Sequence, residues 1–568
     1  MNDTDEVEAG PSAPKRMKIS QNNKRASTKK FLTDDELQAI LEASSDSDVD
    51  IYLNDGSEVS SSESGDEDES IFDFQQTQTV STNKDEFQWT EDSGSMKSVQ
   101  FTKEEKMLIP IPGKEPIDFF MMFLTHEFLE SIVEQTNIYA TEVFLSKGTK
   151  EKSRITNWKE TTNEEMIVFL GLLLHMGNIR MSRLQDYWKT DPLFNINIFH
   201  SSMSRNRFLL IMRTLHFAKN PEPGEAVPQD RLHKIRPPVR FFNERMSKIF
   251  YPGRELSLDE SMMLWRGRLV FRQYIKNKRH KYGIKLYMLT DPNGIILKFM
   301  VYTGSLDDCG GKGHTEKVVL HLLDGKLNVG HSLYMDNFYN SPALAKTLLK
   351  QNTHCTGTLR IDRKDCPTEV KQKKLKRGET IARYSGGILV GKWKDKRDVC
   401  YISNEYENTM LNVTNRRGDT REKPLPIIQY NTYMAGVDRQ DQLLSYYPCE
   451  RKTIRWPTKI FVHILQMMLI NAHGLYNKYS GKKMNLYDFR VAVIRKLLPT
   501  QTVVQENQPK LDAHYLVKRE EKTSSGKIKR KACKTCYKKN KRTDTTYVCQ
   551  KCPGLPGYCL DCATLTHV

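Results

Sequence analysis

Glu255-Leu256-Ser257-Leu258-Asp259-Glu260-Ser261-Met262-Met263-Leu264-Trp265-Arg266-Gly267-Arg268 is the stretch around which the rest of the chain is read. Leu256 to Leu258 reads as a short strand that ends on Asp259 and passes into a basic, aromatic segment. A carboxylate at the end of a buried strand loses hydration, and a charge so placed is retained for a metal ion or a partner cation. Two further acids have comparable settings: Asp336 after Ser332-Leu333-Tyr334-Met335, and Asp438 within Met434-Ala435-Gly436-Val437-Asp438-Arg439-Gln440-Asp441-Gln442. Singly, each has a plainer reading. Asp259 would pair with Arg266 or Arg268, Asp336-Asn337 would be a turn, and Asp438 a helix-surface acid beside Arg439. Together they predict three carboxylates that meet around divalent metal.

The periodicity on either side of this stretch differs. Upstream it is helical, with Phe119, Phe120, Phe123, Leu124, Phe128, Leu129, Ile132 and Val133 at helix spacing. Further helices are expected at Glu164 to Met176 behind Thr162 or Asn163, at Ser204 to His216, and at Asp230 to Phe250. Downstream, Tyr282 to Leu289 and Ile295 to Tyr302 read as strands joined by the turn Asp291-Pro292-Asn293-Gly294. A helix at His314 to Leu323, a buried strand at Ser332 to Met335, a helix at Pro342 to Leu349 and a strand at His354 to Leu359 follow. The order β-β-β-α-β-α-β is that of an RNase H-like sheet, in which the first and fourth strands are neighbours. The lysine-rich residues 363–423, with strand-like pieces at Ile388 to Val390 and Val399 to Ile402, read as a β-rich insertion. Ile427 to Leu444 is expected as one helix carrying Asp438 and Asp441 on one face, and Ile460 to Tyr476 as another.

With 568 residues the chain exceeds one core. Its net charge of +17 hides a split, because residues 31–95 hold 19 acids and a single lysine, so the remainder carries +35. A body that basic points to a polyanion, nucleic acid first. The Ser-, Asp- and Glu-rich N-terminal residues read as disordered, and Lys15-Arg16-Met17-Lys18, Lys24-Arg25 and Lys29-Lys30 resemble a nuclear import signal. No apolar signal core opens the chain. The longest apolar run, Ile460 to Ala472, is broken by His463, Gln466 and Asn471 and is shorter than the roughly 20 residues of a membrane span. Phosphoryl transfer on DNA needs an activated water or 3′-hydroxyl and charge relief on the leaving oxygen, which two Mg²⁺ ions about 4 Å apart supply. Oxygen ligands suffice for Mg²⁺. Asp259 is expected to bridge both ions, Asp336 and Asp438 to take one each, and Asp441 to assist.

Six of the 11 cysteines form three Cys-x2-Cys pairs: Cys533 and Cys536, Cys549 and Cys552, Cys559 and Cys562. With His567 after them and His514 before, eight ligands are enough for two tetrahedral Zn²⁺ sites in a cross-braced finger. The expected division places Cys533, Cys536, Cys559 and Cys562 on one Zn²⁺, and Cys549, Cys552, His567 and His514 on the other. Residues 515–551 carry 13 Lys or Arg against three acids, which favours phosphate contact.

The chain resembles the piggyBac family of transposases and their domesticated derivatives, over about residues 105 to 568. The resemblance rests on whole segments: Asp230 to Pro237, Glu255 to Arg268, Asn277 to Lys285, Tyr334 to Ser341, Met434 to Gln442, Arg455-Trp456-Pro457 and the cysteine cluster. It implies that the family's three catalytic aspartates fall on Asp259, Asp336 and Asp438, with its additional aspartate on Asp441; all four are present. It further implies a dimeric enzyme that cuts a transposon from TTAA sites through hairpin intermediates and joins it to a new TTAA, and the basic N-terminal clusters place that enzyme in the nucleus. A C-terminal finger would bind double-stranded DNA at the transposon ends. The expected organisation is a disordered acidic arm (1–104), a helical dimerisation and DNA-binding region in two parts (105–254 and 448–509), an RNase H-like core in two parts (255–362 and 424–447), the β-rich insertion (363–423) and the zinc finger (510–568). Two rival readings remain: a domesticated DNA- or chromatin-binding protein that no longer transposes, and a plain RNase H-like nuclease.

Overall fold

A computed structural model describes residues 87–566 except 112, 146–152, 223, 227, 277–280, 305–308, 415–417, 419, 452–454 and 500–515. The N-terminal basic clusters, His514 and His567 lie outside the described residues. The upstream helices are α1 (Pro116–Met121), α2 (His126–Leu145), α3 (Asn163–Asn178), α4 (Arg205–Thr214) and α5 (Arg236–Ile249). The apolar pattern from Phe119 to Val133 is therefore two helices; Thr125 Oγ1 accepts from Phe128 N at 3.3 Å and starts the second. Thr162 caps α3 by accepting from Glu165 N, and Ser204 caps α4 by accepting from Arg207 N. The helix expected from Asp230 begins only at Arg236. Pro237 and Pro238 lack the N–H that an interior turn requires, so they are confined to its first turn.

Three arginines from distant parts of the chain close the helix ends. Arg490 Nη2 donates to Leu174 O at 2.9 Å and Arg451 Nη2 to Met176 O at 3.2 Å, at the carboxyl end of α3. Arg455 donates to Met212 O and, at 2.7 Å, to Leu215 O at the end of α4. A cation there meets both the orphan carbonyls and the negative end of the helix dipole.

The core of the fold is one nine-stranded sheet: β1 (Glu255–Leu264), β2 (Gln273–Tyr274), β3 (Tyr282–Thr290), β4 (Ile296–Val301), β5 (Ser332–Met335), β6 (His354–Thr358), β7 (Thr380–Ser385), β8 (Ile388–Lys394) and β9 (Asp398–Ser403). Its order is β2-β3-β1-β5-β6-β9-β8-β7, with β4 also on β3. β1, β3 and β4 form an antiparallel meander, whereas β5 runs parallel to β1 and β6 parallel to β5. Helices α6 (His314–Leu322) and α7 (Pro342–Lys350) make the crossovers. The first strand does not stop at Asp259. It pairs with β3 as far as Leu264↔Gly283, so Asp259 sits in mid-strand and the basic segment starts only after Trp265. The strands of residues 363–423 extend the same sheet through β9 on β6, apart from a separate hairpin of Met410–Thr414 and Thr420–Pro424.

The β4 edge is closed by two side chains. Asn243 and Asn471 each exchange a donor and an acceptor with a β4 residue, Phe299 and Ile296 respectively, at 2.8 to 2.9 Å. They take the place of a tenth strand and remove the free edge. After the sheet come α8 (Leu425–Tyr433), α9 (Gly436–Tyr446), α10 (Trp456–Tyr479) and α11 (Leu486–Leu497). The single helix expected from Ile427 to Leu444 is thus broken at Met434 and Ala435. Ser257 Oγ on β1 donates to Met434 O at 2.6 Å. Gly436 lies so close to β3 that a Cβ there would stand 2.3 Å from Thr290 Oγ1 and 2.4 Å from Asp291 O. Among the described residues no helix is long and apolar enough to cross a membrane.

Candidate active site

Leu258 pairs with Met335 across the parallel β1–β5 ladder, so Asp259 and Asp336 occupy equivalent positions one residue further on. Neighbouring strands lie about 4.8 Å apart, which sets these two acids side by side where β5 ends against the middle of β1. Asp336 is held there by its own loop. Its Oδ1 accepts from Phe338 N at 2.9 Å. Asn340 Nδ2 donates to Met335 O, Asp336 O and Thr358 O at 2.9 to 3.1 Å, tying the end of β5 to the end of β6. This close approach requires glycine at 357, where a Cβ would fall 1.8 Å from Met335 O. Asp259 Oδ1 accepts from Glu260 N at 2.8 Å.

Asp438 and Asp441 arrive on α9. Ser261 shares the sheet face of Asp259, two residues along β1, and its Oγ donates to Asp441 Oδ1 at 2.5 Å. Asp438 lies one turn earlier on the same helix and is exposed, while Asp259, Asp336 and Asp441 are half-buried. Tyr430 on α8 is within electrostatic reach of three of the acids. Burial first, then the charges of Asp336, Asp259 and Asp438, push its hydroxyl up to about 12, against a hydrogen bond from Thr358. One phenol therefore feels all three carboxylates. Of the competing partners named for Asp438, Arg439 donates instead to Pro292 O at 2.6 Å. Glu260 faces the other side of the sheet, where Tyr339 Oη donates to it at 3.3 Å.

Ser261 and Tyr430 were not expected from sequence. The two-residue spacing from Asp259 would have pointed to Ser261; nothing local marks Tyr430. Trp456 begins α10 half-buried, its ring edge-to-face with Phe271 at 5.4 Å.

A second cluster lies in the C-terminal segment. Strand Leu516–Lys518 pairs with Tyr547–Cys549, and Lys531–Ala532 with Asp544–Thr545. The Sγ atoms of Cys533, Cys536, Cys559 and Cys562 all lie within 4.8 Å of one another. Separations of 3.7 Å (Cys533–Cys559), 3.8 Å (Cys536–Cys559) and 3.5 Å (Cys536–Cys562) match the edge of about 3.8 Å of a tetrahedron with Zn–S bonds of about 2.3 Å. Burial opposes ionisation of Cys533, but the backbone N–H groups of Cys536 and Cys559 and the neighbouring sulfurs pull its thiol down to about 6. This four-sulfur group fits a zinc ion. Cys552 shares a side-chain hydrogen bond with Cys549. Among the described residues only the four-cysteine group is this tight; the carboxylates of Asp259, Asp336, Asp438 and Asp441 are by donor type suited to a hard cation.

A family model for Transposase IS4 matches residues 115–473, a span that contains all four aspartates. The human PiggyBac transposable element-derived protein 3 is 27% identical over 461 residues, covering 77% of this chain and 74% of its own. The human PiggyBac transposable element-derived protein 2 is 26% identical over 387 residues, covering 64% and 61%. A cryo-EM structure of a piggyBac transposase in a synaptic complex with hairpin DNA superposes with a TM-score of 0.60 at 22% identity, covering 81% of this chain and all of that one. The sheet, the helices around it and the sequence agree: the chain belongs to the IS4/piggyBac-type transposase family.

Proposed function

We propose that this chain is a cut-and-paste DNA transposase, a DDD-type endonuclease and strand transferase. It excises an element at TTAA through hairpin intermediates and inserts it at a new TTAA. The observation that carries the reading is the shared register of Asp259 on β1 and Asp336 on β5, with α9, the helix of Asp438 and Asp441, tied to β1 through Ser261. The meander β1-β3-β4 followed by parallel β5 and β6 supports an RNase H-like core, with residues 255–362 and 424–447 as its two parts, 363–423 as its insertion, and helices of 105–254 and 448–509 flanking it. Two Mg²⁺ ions held by Asp259, Asp336 and Asp438 would activate the attacking oxygen and relieve charge on the leaving one.

Each residue's share follows from its place. Asp259, rigid in mid-strand, fixes the centre of the site. Asp336 is oriented by Phe338 N and by the Asn340 clamp. Asp438 approaches from the exposed side, where the DNA strand enters, and Ser261 keeps Asp441 turned inward. The basic body supplies the attraction for phosphate. The finger of residues 510–568 would hold two Zn²⁺, one on Cys533, Cys536, Cys559 and Cys562, the other drawing on Cys549 and Cys552, and would read the transposon end. We further propose a homodimer working in the nucleus.

The names of the human relatives, element-derived proteins, favour a second reading, a DNA-binding protein that no longer transposes. Purified full chain with Mg²⁺ and a TTAA-flanked end separates them. Hairpins and joined ends support the transposase, binding without cleavage the second reading, and cleavage without hairpins or joining a plain nuclease. Asp259→Ala should bind the DNA and leave it uncut; nicking at the wild-type rate would remove Asp259 from the mechanism.

A further inference from the structure

The described part of the β2–β3 hairpin carries an exposed aromatic pair that none of the steps above uses. Tyr274 and Tyr282 face each other across the ladder, their ring centroids 4.7 Å apart. Each is 47% exposed. The Arg272 guanidinium lies 5.5 Å from the Tyr282 ring centre and is steadied by Arg266 O at 3.1 Å. Residues 266–282 hold seven Lys or Arg and no acid.

The pair lies on the same side of the sheet as the carboxylates. Met288 is the direct partner of Asp259, and Tyr282 precedes Met288 by six residues, an even number, so its side chain shares that face. Tyr282 is level with Trp265, whose N–H donates to Tyr282 O at 3.3 Å. Six residues of strand separate that level from Asp259, about 20 Å, the length of about six stacked nucleotides.

We propose that Tyr274 and Tyr282, with Arg272, form a stacking platform for an unpaired base of the DNA strand leaving the carboxylate site. Duplex DNA keeps its bases stacked and offers the platform nothing, whereas an unpaired base offers a π-face to the rings and a phosphate to the surrounding cations. This inference rests on the DNA reading above, and its test separates the two.

Full-length protein is titrated, without Mg²⁺, against a blunt duplex and against the same duplex with a single-stranded overhang of about six nucleotides bearing a fluorescent base analogue. The wild type should bind the overhang DNA more tightly and quench the analogue. Tyr274→Ala with Tyr282→Ala should lose roughly tenfold or more in affinity for the overhang DNA, lose the quenching, and keep its blunt-duplex affinity, its salt dependence and its oligomeric mass. Tyr274→Phe with Tyr282→Phe should behave as wild type, since the rings remain. Unchanged overhang binding by the alanine pair, or an equal loss on both DNAs, overturns the platform while leaving DNA binding intact. A changed oligomeric mass assigns the rings to a contact between copies and overturns it too. A wild type that binds neither DNA brings down the parent reading with it.

Discussion

Gly436→Ala tests whether the fit of α9 against the sheet sets the chemistry. Gly436 opens the helix that carries Asp438 and Asp441, and a Cβ there would lie 2.3 Å from Thr290 Oγ1, 2.4 Å from Asp291 O and 3.1 Å from the Ser257 Cβ. Relief to ordinary contact needs about 1 Å of movement. Two of these atoms belong to the β3 end, and Asp291 is itself pinned by Asn293 N at 3.0 Å and Ile295 N at 2.7 Å. The helix, not the sheet, should therefore give way. Alanine gains about 1 kcal/mol of helix propensity over glycine, against an overpacking cost of about 1–3 kcal/mol, so net destabilisation should be about 2 kcal/mol at most. A 1 Å misplacement of catalytic groups costs about 100-fold in rate. The expected protein is folded, binds DNA as wild type does, and cleaves about 100-fold more slowly. Single-turnover cleavage at saturating enzyme, alongside thermal melting and DNA titration, reads all three quantities. Wild-type cleavage by a folded Gly436→Ala protein would refute the claim that α9 must seat against Thr290 and Asp291 for Asp438 and Asp441 to work.

Ser261→Ala removes the donor to Asp441, a hydrogen bond to a charged group worth about 1.5–3 kcal/mol; cleavage should fall while DNA affinity holds, and a rate equal to wild type would strip Ser261 of its positioning role. Cys536→Ser should lower the zinc content measured by atomic absorption and expose residues beyond 515 to protease, since a finger this small folds only with its metal; unchanged zinc would move the ion elsewhere. His216 and His331 are buried, and burial holds each down to about 4. The unfolded chain takes up their protons near pH 6.5 and the folded one does not, so stability present above about pH 6.5 should fall between there and about pH 4. At about 1.4 kcal/mol per unit the loss is roughly 3 kcal/mol for each histidine. Urea titrations at pH 7 and pH 5 check it, and a midpoint that does not move, with His216→Gln no less acid-sensitive, contradicts the assignment.

Short apolar runs bounded by turn residues were legible without coordinates. Ser332–Met335 is one, and the helices capped by Thr162, Ser204 and Ser341 begin where their caps stand. Such signals are local, because a cap or a turn depends on residues within a few positions of it. The break between α8 and α9 is not local. Helical spacing runs through Met434 without interruption, and the chain divides there because Ser257 and Thr290, far away in sequence, claim the backbone and the space. The length of β1 has the same origin: nothing in Glu260 to Leu264 announces a strand, and the pairing partner Gly283 to Tyr287 supplies one.

The candidate site divides along the same line. Which aspartates to watch, and which cysteines to group, could be read from residue type and spacing. That Asp259 and Asp336 share a register, and that Asp441 hangs from Ser261, only the folded chain decides. Sequence alone determined the chemical inventory, because side-chain type is intrinsic. Tertiary structure determined the geometry, because strand register and helix seating are properties of pairs of segments and belong to neither one alone.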